Sequence, residues 1–329
     1  MFMGRKTIEQ QITHAYHDKI GFGESRHLAK QKLREEKGDD YRFSMTDEKI
    51  HSIETFRTYS KVGKEYASWL TTNKGISKYS KLEKTEDLAK EYLEYRLEQG
   101  CSAWTVKMER SALGKLYGKT IEMEMPARNR DDIKRSRNEC EHDKHFSKEK
   151  HRDEILVASA CGTRREDLGK ITINSFVKRD GMLLVKIEGS KGGRDRIATV
   201  LPSRAQEIEE LLERMKQEGK DKDAPLFEAV PKNMDVHSFR RDYARDLMDY
   251  VEHNPEGKEN ILKQYPERKE YKSVINRETG ERELRDIQSD YFCPRGTEEN
   301  VSYERDCLYA VSQGLGHNRI DVTYNSYLR

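Results

Sequence analysis

No long apolar run occurs in the 329 residues, so no membrane-spanning helix is expected. The opening Met1-Phe2-Met3-Gly4-Arg5-Lys6 is not followed by an apolar h-region, which argues against export. Cysteine is sparse: Cys101, Cys140, Cys161, Cys293 and Cys307 are odd in number and widely spread. That pattern suits a reducing cytoplasm better than a disulfide scaffold. A charge excess is also missing, since 62 basic against 60 acidic side chains leave +2. Whole-chain charge therefore says little about nucleic acid, and the clustering of basic groups has to be read instead. Gly189, Gly192 and Gly193 have neither the spacing of a phosphate loop nor a helix after them. Acidic residues are plentiful but scattered, with no constellation of the two-metal nuclease kind. Cys140, His142 and His145 lie close together, but zinc wants four ligands and no fourth is evident. Neither a metal nor a cofactor is expected.

Charge of both signs is abundant, at 37% of residues against 34% apolar. Such a chain has a heavily charged surface over modest cores, and its length allows two domains. Residues 1–44 are polar and mixed in charge, with glycines at Gly21, Gly23 and Gly38 and a short helix from about Ala29 to Glu36. They read as an arm, either flexible or a small appended element. Residues 45–125 read as a small helical bundle. One helix runs from about Ile53 to Leu70 with Phe56, Tyr59, Tyr66 and Trp69 as its core face. A second is capped by Thr85, carries Glu86 and Asp87 in its first turn, and closes at Gly100; a third is capped by Ser102. Lys74, Lys78, Lys81, Lys107 and Lys115 are either phosphate contacts or an ordinary solvated face. From residue 126 to 146 apolar content collapses around Arg128, Arg130, Lys134, Arg135 and Arg137, which marks a basic linker.

Residues 147–329 mix helix and strand. Ser147 opens a helix that Gly162 breaks. Alternation then predicts three strands, Lys170 to Phe176, Met182 to Glu188 and Arg196 to Val200, with Arg179-Asp180-Gly181 as a hairpin turn. Ser203 and Gln206 form a capping box for the next helix, which has Ile208, Leu211, Leu212 and Met215 facing inward. The helix from His237 carries Phe239, Tyr243, Leu247 and Val251 on one stripe. A polar excursion at about 255–300 follows, with basic and acidic residues equally frequent. It is either solvated and partner-contacting or, through Lys258, Lys263, Arg268, Lys269, Lys272 and Arg277, a lining for DNA.

The chemistry-bearing residues fall in this second half. Arg164 stands in Gly162-Thr163-Arg164-Arg165-Glu166-Asp167-Leu168, just after an apolar run. Lys191 sits on the turn Ser190-Lys191-Gly192-Gly193-Arg194. His237 and Arg240 share a helix face at i and i+3. Near the end, Leu315-Gly316-His317 precedes Tyr324 and Tyr327. Arginines clamp phosphate, lysine can act as a mobile acid, and tyrosine can be a covalent nucleophile, so the set is suited to attack on a phosphodiester.

In that order, Arg164, Lys191, His237, Arg240, His317 and Tyr327 resemble the catalytic boxes of the tyrosine recombinase, or phage integrase, family. The resemblance implies a mostly α protein with a small antiparallel β-sheet. An all-helical core-binding domain would precede an α+β catalytic domain carrying an insertion at 255–300. It implies site-specific cutting and rejoining of DNA through a 3′-phosphotyrosyl intermediate, without metal or ATP. Arg164 and Arg240 would hold the scissile phosphate, with Arg165 as the rival of the first. Asp167 would orient Arg164. Lys191 would protonate the leaving 5′ oxygen, with Lys186 as the fallback. His237 would assist proton transfer or hydrogen-bond a phosphate oxygen, and His317 would be a second phosphate ligand. The family register puts the nucleophile ten residues after the histidine, at Tyr327, and leaves Tyr324 as packed core.

Implied partners are double-stranded DNA with inverted-repeat core sites and other copies of the chain, a dimer on one site and a tetramer on synapsed DNA. Accessory DNA-bending or directionality factors are further candidates, and the DNA-bound form would associate with the nucleoid. The arm ahead of the bundle favours an integrase of a mobile element over a resolvase. A topoisomerase of type IB, a telomere resolvase and a non-cutting DNA-binding protein of the same fold are the alternative readings.

Overall fold

The computed structural model describes residues 5–41, 45–127, 146–190, 194–275, 282–294, 301–317 and 319–328. These form two compact units, one on each side of the 128–145 stretch.

The first unit is all helical. Helix α1 (Ile8–His17) is closed by a reciprocal capping box between Thr7 and Gln10. Helices α2 (Arg26–Lys37) and α3 (Ile53–Thr72) are capped by Ser25 and Ser52, whose hydroxyls accept from amides three residues on. Helices α4 (Leu88–Glu98) and α5 (Ala103–Tyr117) complete the bundle, α5 with Ser102 as its cap. Thr85 does not cap α4: its hydroxyl donates to the Leu82 carbonyl inside a short 3₁₀ turn.

Residues 1–44 are not simply an arm outside the core. Ile8, Ile12 and Tyr16 recur every fourth residue on α1 and are all buried, in one cluster with Tyr66, Leu70, Leu93 and Leu113. The Tyr16 hydroxyl donates to the Ala112 carbonyl on α5. Gly63 of α3 faces this helix, because a Cβ there would lie 2.5 Å from Ile12 Cγ2. The preference for an integrase rested on a separate arm and loses that support.

The second unit opens with α6 (Arg152–Cys161), whose Val157, Ala158, Ala160 and Cys161 are buried. Ser147 does not open this helix. Its hydroxyl accepts from the Lys150 amide in a turn ahead of it. After α6 come Gly162, in the left-handed conformation, and the short helix α7 (Arg165–Leu168). The predicted first strand begins late. Ile171 and Ile173 are buried, but Thr172 and Ser175 cap each other in a 3₁₀ turn, so β1 covers only Phe176–Arg179. Strands β2 (Met182–Ser190) and β3 (Arg194–Thr199) continue the antiparallel sheet in the order β1-β2-β3. Asp180 and Gly181 both have positive φ and join the facing pair Arg179 and Met182, as a tight hairpin requires.

Helix α8 (Ala205–Gln217) follows a 3₁₀ turn at Pro202–Arg204, without the capping box expected of Ser203 and Gln206. Helix α9 (Val236–His253) is capped by Asp235, whose carboxylate accepts from the amides of His237 and Ser238. The excursion is folded where described: α10 (Pro255–Leu262), a hairpin of β4 (Tyr271–Ile275) and β5 (Arg282–Asp286), and a short pair of β6 (Tyr291–Phe292) with β7 (Tyr303–Glu304). Helices α11 (Arg305–Gly314) and α12 (Ile320–Thr323) lead to a π-helical turn at Tyr324–Leu328. The unit is therefore mostly α around a small antiparallel sheet.

Candidate active site

The site is built where α6, α7, α9 and α11 end or begin near β3. Gly162 terminates α6 and turns the chain so that Arg164 heads α7. The Arg164 amide donates to Asp167 Oδ2 (3.2 Å). Its guanidinium donates from Nη1 to Ser190 Oγ (3.0 Å) and from Nη2 to the Leu315 carbonyl (3.4 Å). Arg240, on the first turn of α9, is only 1% exposed. Its Nε donates to the Tyr327 hydroxyl (3.1 Å), Nη1 to the Gly162 carbonyl and Nη2 to the Leu315 carbonyl. The Leu315 oxygen thus accepts from both arginines and holds two like charges side by side.

Arg240 Nη2 also lies 3.3 Å from His317 Nε2. A guanidinium can only donate, so in this contact the ring nitrogen accepts and the imidazole proton sits on Nδ1. His317 is fixed by its own backbone as well: its amide donates to the Ser312 carbonyl, and its carbonyl accepts from the Ser312 hydroxyl. The Tyr327 ring lies 5.6 Å from the His317 ring, and the His237 ring meets it edge-on at 5.8 Å. The Arg240 guanidinium carbon stands 5.5 Å from the centroid of the tyrosine ring. Arg164, His237, Arg240, His317 and Tyr327 are therefore gathered at one place. Lys191 lies outside the described residues, as do Cys140, His142 and His145.

The rivals are elsewhere. Arg165 turns away and donates to the carbonyls of Pro231 and Met234, ahead of α9. Lys186 is exposed on β2. Tyr324 is buried against Phe292 and Tyr303 and does not share the partners of Tyr327.

One member of the cluster escaped the sequence reading. Arg196 on β3 donates from Nη2 to Asp167 Oδ2 (3.0 Å) and from Nη1 to the Gly314 carbonyl (2.5 Å). It takes Asp167 largely from Arg164, whose Nη1 stands 3.8 Å from the same oxygen. Its side chain also lies across Gly316, where a Cβ would come within 2.5 Å of Arg196 Cδ. Gly316 has φ +64, so both backbone and space demand glycine there. The available signal was face alternation, since Arg196 shares its strand face with buried Ala198 and Val200. A charged residue on that face needs a buried partner.

Burial pushes the Arg240 guanidinium down to about 10, opposed by the Tyr327 hydroxyl and reinforced by Arg196 and Arg164. Burial and Arg196 likewise lower Arg164. Burial alone would raise the Asp167 carboxyl. Arg196, together with hydrogen bonds from the Arg164 amide and Arg196, outweighs it and holds the carboxyl below its usual range. Two guanidiniums thus face the one buried carboxylate, and the third, Arg240, rests on carbonyls, a phenol and an imidazole. Tyr243 of α9 completes the frame: it is fully buried, donates to the Thr199 carbonyl (2.7 Å), and fills the space beside Gly162 and Gly314.

Of the excursion's basic candidates, Lys263 pairs with Glu259 (3.0 Å), Lys269 and Lys272 are exposed, and Arg277 lies outside the described residues. Lys258 pairs with Glu304 (2.7 Å), and Arg268 pairs with Asp306 (2.7 Å) and Glu270 (2.9 Å). In the first unit Lys74 pairs with Glu91 and the Lys115 ammonium donates to the Asp47 carbonyl, whereas Lys78, Lys81 and Lys107 are exposed.

No family model matches this sequence, and no curated protein matches it. The chain is similar to solved site-specific recombinases. The XerH site-specific recombinase bound to palindromic difH substrate, in a post-cleavage complex, is 12% identical. That match covers 97% of this chain and 90% of the other, with a TM-score of 0.49. The XerH pre-cleavage complex with difH is 13% identical over 99% and 94% of the two chains (TM-score 0.47). The XerA recombinase is 12% identical over 96% and 93% (TM-score 0.30). At such scores the function has to be argued from the side chains.

Proposed function

We propose that this chain is a site-specific DNA recombinase of the tyrosine type, with Tyr327 as its nucleophile. The observation that carries the reading is the Tyr327 hydroxyl accepting from Arg240 Nε at 3.1 Å, with two imidazoles against the same ring. A phenol whose oxygen accepts from a fixed cation has its own hydrogen left to pass to another acceptor, which one donating to a carbonyl does not.

The step balances without a cofactor. The Tyr327 oxygen forms a bond to the scissile phosphorus while its proton leaves, with His237 as the candidate acceptor. The bond from phosphorus to the 5′ oxygen breaks, and that oxygen takes a proton from Lys191. Charge growing on the non-bridging oxygens is met by Arg164 and Arg240, whose donors are held in advance by backbone carbonyls. Attack by a 5′ hydroxyl on the 3′-phosphotyrosyl bond reverses the step and joins a new strand. Arg196 and Asp167 hold the arginine cluster from behind. The reading extends to inverted-repeat core sites bound by two copies of the chain and to a tetramer on synapsed DNA; accessory factors remain candidate partners.

The test is to trap the covalent complex on nicked duplexes tiled across the DNA that flanks the gene. Protease digestion and mass mapping of the DNA-bearing peptide should place the adduct on Tyr327, and Tyr327→Phe should abolish it. An adduct that survives in Tyr327→Phe and disappears in Tyr324→Phe would overturn the assignment.

A further inference from the structure

We infer that the paired strands β6 and β7 are a clamp for the nucleophile-bearing turn, with Phe292 and Tyr303 as positioning residues for Tyr327. The catalytic half of this inference rests on the function proposed above.

The turn at Tyr324–Leu328 is π-helical, a rare geometry that is frequent at functional sites. Its two tyrosines look to different partners. Tyr327 meets Arg240, His237 and His317, whereas Tyr324, 4% exposed, is held from the excursion. Phe292 and Tyr303 are directly paired across β6 and β7, and their ring centroids lie 5.7 and 5.3 Å from that of Tyr324. The clamp is itself anchored. Arg305, at the start of α11, lies 5.7 Å from the Phe292 ring and donates from Nε to the Tyr291 carbonyl (3.1 Å). Its Nη1 donates to Glu270 (2.8 Å), which also takes Arg268. The excursion thus runs through ion pairs to two aromatic rings, and through them to a residue three positions before the nucleophile. Helix α11, which leads into Leu315-Gly316-His317, is fixed by the same Arg305.

Nucleophilic attack is sensitive to displacements of about 1 Å, which can cost about 10²-fold in rate. Loosening Tyr324 therefore loosens the phenol of Tyr327 without touching the phosphate-facing arginines.

The full chain serves for the test. Phe292→Ala should raise amide exchange across residues 320–328 while α6 and the three-stranded sheet keep parental protection. It should slow single-turnover cleavage of the adduct-forming nicked duplex about 10- to 100-fold. Duplex affinity should stay within about threefold, because phosphate contacts elsewhere set it. Phe292→Tyr, which keeps the ring, should restore the rate. Parental exchange at 320–328 in Phe292→Ala overturns the clamp, and a loosened turn with parental cleavage overturns its positioning role. A parent chain that forms no adduct on any duplex sinks the functional reading and the positioning role together, and exchange alone then decides the clamp. Should Phe292→Ala fail to fold, Tyr303→Leu is read in the same way.

Discussion

Tyr16 and Tyr66 of the helical unit and Tyr327 of the candidate site are all hidden from water, yet their hydroxyls face opposite kinds of partner. Tyr16 donates to the Ala112 carbonyl and Tyr66 to the Thr85 carbonyl. Burial drives both phenols well above their ordinary range. Tyr327 is 5% exposed, but its oxygen accepts from a guanidinium. A carbonyl can only accept, so a phenol facing one must keep its proton. A guanidinium can only donate, so the phenol facing one keeps its own hydrogen for another acceptor. Depth of burial does not separate a structural tyrosine from a reactive one; the hydrogen-bonding character of the partner does.

The most damaging way to break this contrast is to remove the cation. Arg240→Ala should lower single-turnover cleavage by about 10²–10³. It also strands the buried carbonyl of Gly162 and leaves that of Leu315 to Arg164 alone, so a loss of about 2–5 kcal/mol is expected in urea titrations. Cleavage is therefore to be compared under conditions where the variant is folded. A parental rate there would leave the guanidinium idle and the contrast empty.

Next in size is Arg196→Met, which leaves Asp167 buried without its closest cation. Losing one partner of a buried pair typically costs about 3–5 kcal/mol at neutral pH. The parent's depressed Asp167 contributes stability above the ordinary carboxylate range and loses it as pH falls through the lower folded value. In the variant, burial dominates and raises the same carboxyl, so its penalty disappears on acidification. The stability gap should be widest near pH 7 and should narrow towards acid, measured as urea midpoints of the two proteins. A gap independent of pH would mean that Arg196 acts by packing alone.

The smallest effect sharpens the contrast from the other side. Tyr66→Phe removes a hydroxyl that serves a carbonyl, so it should cost about 1 kcal/mol of stability and leave adduct yield unchanged. A loss of adduct in this variant, with the fold intact, would remove the distinction between the two sets of tyrosines.

What the sequence made legible follows the same division between side chain and backbone. Arg164, His237, Arg240, His317 and Tyr327 could be picked out because their chemistry resides in side chains at fixed spacings. The acceptors that aim the two arginines, the carbonyls of Gly162 and Leu315, belong to every residue type and leave no trace in composition. Arg196 was legible only through strand alternation, and only once its inward face was recognised as a cost. Helix α1 was misread because glycines and mixed charge in residues 1–44 obscured the spacing of Ile8, Ile12 and Tyr16. The first strand was misread because Ile171 and Ile173 alternate correctly while the hydroxyls of Thr172 and Ser175 bend the backbone away. For Tyr324 and Tyr327, α-helical phase puts both on roughly one side; the π-helical turn gives them different partners.

The ring of Tyr243 has a consequence for descent. It occupies the space where side chains at positions 162 and 314 would go, and a Cβ on Gly314 would stand 2.6 Å from its hydroxyl oxygen. Those two glycines supply the oxygens that hold Arg240 and Arg196. Positions 162, 243 and 314 must therefore be inherited as a set. A lineage that enlarges either glycine has to shrink the tyrosine in the same step, or pass through an ancestor whose arginines are misaimed. Among diverged copies of this gene, the three positions should change together or not at all.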